Sequence, residues 1–573
     1  MDARDKLKES EKQLSQNIYE RGVDPAFPLS HNEEAILMAT TVYQTDKRSG
    51  ITYAYQSVSY WDKEKQQSRS TRSLIGRVDK ETGEIVQTDG RGRKNNGGSV
   101  LAKRGPVPTM ETARSFYGAT YLLDAIGDKL GITDDLKQCF PNSYKQLLSI
   151  AYYLILEDRN PLFRFEKWSS IHRHPHGKNI TSQRSSDLFA SITEAEKDMF
   201  FRLQGRRRTE KEFWAYDTTS ISSYSEQLRQ VQYGHNKEND PLPQLNLAMV
   251  FGEASNLPFY YRKLAGNIPD SKTVRNLLAD LDILGFSKVK LVMDRGFFSE
   301  DNINGLYKEH LKFLMSVKIS LAFIKKELDV IYNGFRTFEH YNEKYELYSH
   351  TVQAEWNYTQ QRPNKGDVLT ESRRIYIHYY HNIDKAAEDE KAFDKSLIAL
   401  QRELESGKRI PEHENQYKKY FATKITPKRG TQITVKSEAL MTAKRYYGFF
   451  ALITNETMDS IAALEIYRNK DVVEKAFGNL KERLNMRRTL VSSEQSLDGK
   501  LFVEFVALIY LSYIKKQMQE HDLFKNYTLT GVLDKLDVIE CFDSPGQKLR
   551  VGELLEKQKA LYIDLGVRLP TSL

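Results

Sequence analysis

Cysteine is nearly absent: Cys139 and Cys541 are the only two in 573 residues, and no CxxC spacing occurs. That argues against a disulfide scaffold and against a thiolate zinc site. Long apolar runs are also missing. The richest, LFVEFVALIYLSYI at 501–514, is too short to span a bilayer and carries Glu504, so it reads as a buried helix. The opening stretch MDARDKLKESEKQLSQ has no apolar core of the signal-peptide kind, and no lysine-rich tract demands a nuclear address. The expectation is an intracellular protein of the cytoplasm that meets no membrane. Neither a phosphate-loop consensus nor an internal repeat is found, so no nucleotide cofactor is expected.

What is present is a globular chain, 40% hydrophobic, 11% aromatic and 28% charged. Its length exceeds a single core, and about two to four domains are expected. A net charge of +8 favours a polyanionic partner, and the placing of that charge matters more than its total.

Residues 4–20 read as a short charged helix. From Ile51 to Val86, aromatic and β-branched residues alternate around two turns, WDKEKQQS and DKETGE, so hairpins are expected. Lys63, Lys65, Arg69 and Arg72 stand there among Tyr53, Tyr55, Tyr60 and Trp61. Cations beside aromatics on a ribbon suit phosphate contact and groove insertion, although a small β module with a wet face has the same look. RGRKNNGG at 91–98 reads as a basic linker. Residues 1–105 are therefore taken as a β-rich DNA-binding region. Residues 106–210 read as a helical region for DNA binding or multimerisation. His172, His174 and His176 fall there in IHRHPHGKN without supporting ligands, and Arg206, Arg207 and Arg208 form a cationic cluster at its end.

From Phe213 the pattern turns to α/β. FWAYDTTSIS, LPQLNLAMVFG and LPFYYRKLAG read as three strands. DSKTVRNLLADLDILGF reads as a helix with Ser271 as its N-cap, and KVKLVMDRGFF as a fourth strand whose apolar run stops at Asp294. A further helix and the strand KFLMSVK complete residues 211–318, the first part of a mixed sheet with parallel strands. Residues 319–443 form an interruption without a catalytic pattern. The strand KRYYGFFALITN opens a second part, 444–520, and a C-terminal segment follows at 521–573.

The stretch YRNKDVVEKAFGNLK at 467–481 predicts one amphipathic helix. At 100° per residue, Tyr467, Lys470, Glu474 and Lys481 share a stripe about 60° wide. Such stripes are commonly solvated faces. Asp217 follows the apolar half of the first strand, and in a βββαβ sheet the fourth strand lies parallel beside the first. Asp217 and Asp294 then meet at the carboxyl ends of neighbouring strands, where open α/β sheets gather their active sites. Either aspartate alone could be a turn former, and Asp471 rivals Glu474 as the helix acid. Together, three converging carboxylates require a cation. Oxygen ligands without cysteine favour two Mg²⁺ or Mn²⁺ ions, which can drive in-line attack on a phosphodiester.

These residues resemble the insertion-sequence DDE transposases of bacteria that carry an RNase H-like core and the signature Tyr-x2-Arg-x3-Glu-x6-Lys. Here the spacing reads Tyr467, Lys470, Glu474, Lys481, with lysine replacing the usual arginine and losing its planar fork. The DTT of the first strand, LPQLNL, AGNIPDS and VMDRGFF add to the likeness. It implies that Asp217, Asp294 and Glu474 are catalytic and bind metal. It further implies that Tyr467, Lys470, Lys481, Arg487 and Arg488 contact DNA, and that residues 319–443 are an insertion domain holding the transposon end. Such enzymes cut one strand at the element end and use the freed 3′-hydroxyl for strand transfer into target DNA. They act as homodimers or larger multimers on paired terminal inverted repeats, here in a nucleoid-associated setting. A structure-selective RNase H-like nuclease and a non-catalytic domesticated DNA-binding protein are the alternative readings.

Overall fold

A computed structural model of the chain describes residues 39–62, 65–80, 82–86, 112–157, 160–207, 212–225, 227–237, 240–361, 366–426, 430–484, 486, 488–489, 491 and 493–571. The charged helix read at 4–20, the linker at 91–98, and Lys63, Arg208 and Arg487 lie outside the described residues. Two compact units are present, 1–102 and 103–573.

In the first unit, β1 (Ala39–Thr45), β2 (Thr52–Asp62), β3 (Gln67–Val78) and β4 (Ile85–Val86) form an antiparallel sheet in chain order. The hairpins read from alternation are there. The DKETGE turn closes when Gly83 donates to the Asp79 carbonyl and Asp79 to that of Glu84, both at 3.0 Å. Register sets Arg69 opposite Tyr60, and Arg72 on the other face with Tyr55 and Trp61. Ala54 and Ser57 are buried, but most of the sheet's side chains are exposed or half-buried.

The second unit opens with β5 (Ala113–Phe116) and six helices: α1 (Gly118–Leu130), α2 (Ile132–Cys139), α3 (Tyr144–Leu156), α4 (Phe165–Ile171), α5 (Ser182–Ser191) and α6 (Glu194–Arg207). Then come β6 (Phe213–Ser223), β7 (Gln244–Gly252), β8 (Pro258–Ala265), α7 (Asp270–Leu284), β9 (Lys290–Met293), α8 (Glu300–Lys308) and β10 (Lys312–Val317). The order β8-β7-β6-β9-β10, antiparallel up to β6 and parallel from β6 through β9 to β10, is that of an RNase H-like core. Every residue of β6 and β7 is buried, as central strands flanked by helices require. Helix α7 starts at Asp270 with Pro269 as its N-cap, so Ser271 is not the cap the sequence suggested. Proline fixes the extended backbone there, and Asp270 is left with a different task.

After α9 (Ala322–Ile331), the strands β11 (Tyr341–Asn342), β12 (Leu347–Gln361) and β13 (Val368–Asn382) extend the same sheet beyond β10. The elements α10 (Ile383–Ser406), α11 (Glu414–Tyr420), β14 (Phe421–Thr426), β15 (Gly430–Val435) and α12 (Ser437–Lys444) follow, with a small core of Leu400, Leu404, Tyr417 and Phe421. Strand β16 (Phe449–Thr454) then inserts between β13 and β10. The chain continues through α13 (Ser460–Asn469), α14 (Asp471–Gly478), a π-turn at 479–483 and β17 (Arg488–Thr489) to the long helix α15 (Glu494–Glu520). The last elements are α16 (Leu529–Asp537), β18 (Glu540–Asp543), β19 (Arg550–Val551) and α17 (Glu556–Asp564), and β18 pairs with β5.

Helix α15 is the buried helix read at 501–514, and it joins the helical region to the sheet. Phe502 meets Phe200 at 5.3 Å between ring centres, and Phe505 meets Phe201 at 5.5 Å, both edge-on. Gly499 permits the closest approach: a Cβ there would lie 2.1 Å from the Phe189 carbonyl oxygen of α5. Among the described residues no helix is long and apolar enough to cross a membrane.

Candidate active site

Register decides where the two strand acids stand. Strands β6 and β9 run parallel with Tyr216 opposite Met293, so Asp217 and Asp294 are the next positions on neighbouring strands. Asp217 lies inside β6, and Asp294 caps the short 3-10 turn after β9, accepting from the Arg295 N–H at 2.8 Å. Helix α14 crosses this end of the sheet. Asp217, Asp294 and Glu474 line one cavity of about 380 Å³ together with Thr218, Lys237, Asp270 and Lys481. Asp471, at the start of α14, is exposed and does not line it.

The helix read as continuous over 467–481 is broken. Helix α13 ends at Asn469, Lys470 stands between, and α14 starts at Asp471. The break coincides with a cation turned inward: Lys470 is 2% exposed. Its ammonium lies 3.5 Å from the Glu474 carboxylate, and its charge reaches Asp217 and Asp294. Tyr467, below it on α13, donates to Asp294 at 2.6 Å. Burial pushes the Asp294 carboxyl up, but the Tyr467 hydroxyl, the Arg295 N–H and the Lys470 charge outweigh it and leave it below the usual range. At Asp217 burial prevails over Lys237, the Thr218 N–H and Lys470, and the carboxyl stands above its usual range.

Lys237, Asp270 and Glu482 of the cavity went unread in the sequence. Lys237, from the loop between β6 and β7, reaches Asp217 at 3.5 Å and Asp270 at 3.3 Å, and donates to the Thr218 carbonyl at 2.7 Å. Asp270 also accepts from the Thr218 hydroxyl. The signal for Asp270 was the AGNIPDS stretch, where an acid follows proline at a helix start. Nothing in the sequence marked Lys237.

The donor set is that of a hard cation: carboxylates, hydroxyls and no sulfur. The acids are spread around Lys470 rather than closed on a point. Among the described residues no three His, Cys, Asp or Glu side chains are placed to hold one ion. Glu474 sits at the rim, its side chain 60% exposed. The carboxylate chemistry fits divalent metal, and Glu474 is the carboxylate with room to turn inward.

Other expected DNA contacts separate into groups. Lys481 lines the cavity and is 7% exposed. Lys470, expected as a phosphate contact on an open stripe, is instead buried among acids, because the aspartates of β6 and β9 draw it in. Arg207 is held by Asp135 through two bonds of 2.9 and 2.6 Å, so its guanidinium is already engaged in packing α6 on α2. Arg206 is exposed, as are Lys65, Arg69 and Arg72. Arg488 places its backbone beside Ser222 of β6. The histidines of 172–176 are used in packing: His172 bridges the Trp168 carbonyl and Asp537, each at 2.9 Å, and His174 bonds Ser149.

Comparison with known proteins bears on this arrangement. No curated protein matches the chain. Among solved structures, a cryo-EM structure of the piggyBac transposase synaptic complex with hairpin DNA is 10% identical, with a TM-score of 0.31. It covers 72% of this chain and 70% of that one. The family model for the transposase DDE domain matches residues 208–510, from just before β6 into α15. That is more than half of the chain and includes Asp217, Asp294 and Glu474, so the protein belongs to the transposase DDE domain family.

Proposed function

We propose that the protein is a DNA transposase of the bacterial insertion-sequence group with the Tyr-Arg-Glu-Lys signature, acting on paired terminal inverted repeats as a homodimer or larger multimer. One observation carries the reading: two strand acids adjacent in register and one helix acid line a single cavity with cations around it. In this reading Asp217, Asp294 and Glu474 hold two Mg²⁺ or Mn²⁺ ions. When bound, such ions supply an activated hydroxyl nucleophile and stabilise the leaving oxygen, first for hydrolysis and then for strand transfer by the freed 3′-hydroxyl.

The chain's own residues do the rest. The Tyr467 hydroxyl and the Arg295 N–H hold the Asp294 carboxylate ionised and oriented. Lys237 ties Asp217 to Asp270 and thereby to the start of α7. Lys481, in the cavity wall, meets the charge of the scissile phosphate, and the segment 319–443 helps hold the DNA end. The test uses purified protein, Mg²⁺ and duplexes carrying the inverted repeats that flank its gene, with a second DNA as target. Cleaved ends joined to the target are expected. Cleavage without joining would make it a nuclease, and end binding without cleavage a non-catalytic DNA-binding protein.

A further inference from the structure

Behind the cavity, on the opposite side of α14, lies a second cleft between α14 and α15. It is lined by Asn256, Lys475, Asn479, Ser512, Lys515 and Lys516 among others, and none of its lining residues is acidic. We infer that this cleft binds a phosphate of the DNA backbone while the same helix presents Glu474 to the cavity, a second anchor for the duplex that rests on the transposase reading.

Three observations point to an anion. Lys516 is engaged with the Ala254 carbonyl at 2.9 Å and lies 3.7 Å from Glu520, but Lys475 and Lys515 have no carboxylate within ion-pair distance among the described residues. Burial holds the Lys515 ammonium below its ordinary range, and the like charges of Lys475 and Arg483 push the same way. The charges of Lys475 and Lys515, crowded on one side of the cleft, are relieved by an arriving anion. Ser512, 7% exposed, lines the cleft, and its buried hydroxyl has no hydrogen-bond partner among the described residues, a polar group left over at the cleft floor.

Size and position select the kind of anion. The open cleft has room for about 20 Å³, enough for one water-sized group such as a single non-bridging phosphate oxygen but not for a nucleoside. Lys475 follows Glu474 in sequence and leaves α14 on a different spoke, about 100° around the axis. A duplex whose scissile phosphate enters the cavity and crosses α14 lays a further phosphate, roughly 10 Å on, into the cleft. The contact reads no bases. It adds affinity and sets how the strand approaches Glu474.

The test is the salt dependence of binding to a fluorescent 40-base-pair duplex, measured by anisotropy on the full chain between 50 and 200 mM KCl. K475Q/K515Q is expected to flatten the slope of log K against log[KCl] by about 1, because one phosphate contact contributes roughly 0.9. Affinity at low salt should fall on the order of tenfold, while K475R/K515R keeps the slope. An unchanged slope in a K475Q/K515Q protein that melts like the parent would overturn the inference. So would a loss of binding to vesicles of anionic lipid, or to inorganic phosphate, with DNA binding intact. E474Q separates this inference from the transposase reading. It leaves both lysines in place and should keep the parent slope, whether or not it cleaves.

Discussion

Lys470 is a buried charge whose partners come from three separate elements. The strands β6 and β9 bring Asp217 and Asp294, and α14 brings Glu474. A buried cation removed from such a set leaves carboxylates facing one another, which costs about 3 kcal/mol. K470M should therefore melt well below the parent in EDTA. Adding Mn²⁺ should recover more of the loss than it adds to the parent, because the ion would take over the charge that Lys470 supplies; equal Mn²⁺ shifts in the two proteins would count against that role. For catalysis the expectation is sharper. E474Q should lower end cleavage on the order of 10³-fold or more, the scale of losing several kcal/mol of charge stabilisation. D471N should cleave as the parent does, since Asp471 stands outside the cavity. The reverse pattern would assign the helix acid to Asp471. The meeting of Asp217, Asp294 and Glu474 in one cavity was legible because apolar runs that stop at an acid and helical spacing are local patterns. The inward turn of Lys470 was not, for it answers to charges supplied by residues far away in the chain.

At the scale of elements, the period that identified the 467–481 helix carried no information on its break at Lys470. A hydrophobic stripe reports which side faces the core, and the two halves keep a buried side through Ala463 and Leu464 on α13 and through Val473, Ala476 and Phe477 on α14. The strands β6 to β10 were readable for the same reason, and the insertion of β16 between β13 and β10 was not, since it depends on pairing across a long interval. Helix α15 was marked by its apolar run, and the charge within it has a consequence. Burial pushes the Glu504 carboxyl up to about 7, with the Lys500 ammonium 3.7 Å away drawing it back only in part, and among the described residues neither carboxylate oxygen has a hydrogen-bond partner. A carboxyl raised in the fold contributes its full stability below the unfolded value near 4.5, and loses it as pH climbs to about 7. That loss is on the order of 2–3 kcal/mol. E504Q, which keeps the shape without the charge, should raise the melting temperature by a few degrees at pH 8 and leave it nearly unchanged at pH 4.5. A gain of the same size at both pH values would mean that ionisation is not what the glutamate costs the helix.

For the whole molecule, the distribution of charge matters more than the total of +8. The unit 1–102 has little buried surface in its described sheet, and small antiparallel sheets with two wet faces are marginal by themselves. Such a module gains most from a partner that binds its folded form. Arg69 and Arg72 lie on opposite faces of β2 and β3, one opposite Tyr60 and the other on the face of Tyr55 and Trp61, so a DNA duplex or its groove could engage both sides. The alternation of aromatic and charged residues made the hairpins legible, but which face meets a ligand is not encoded in a period of two. If these arginines touch phosphates, R69Q/R72Q should weaken binding to element ends and to unrelated duplexes by the same factor. The salt slope should flatten by about 2, and the melting of the larger unit should stay as it was. A loss confined to element ends would instead mark the hairpins as base readers. In that case the +8 charge would be spread over a recognition surface as well as an electrostatic one, and the discrimination between ends would lie in the first unit rather than in the cavity that cuts them.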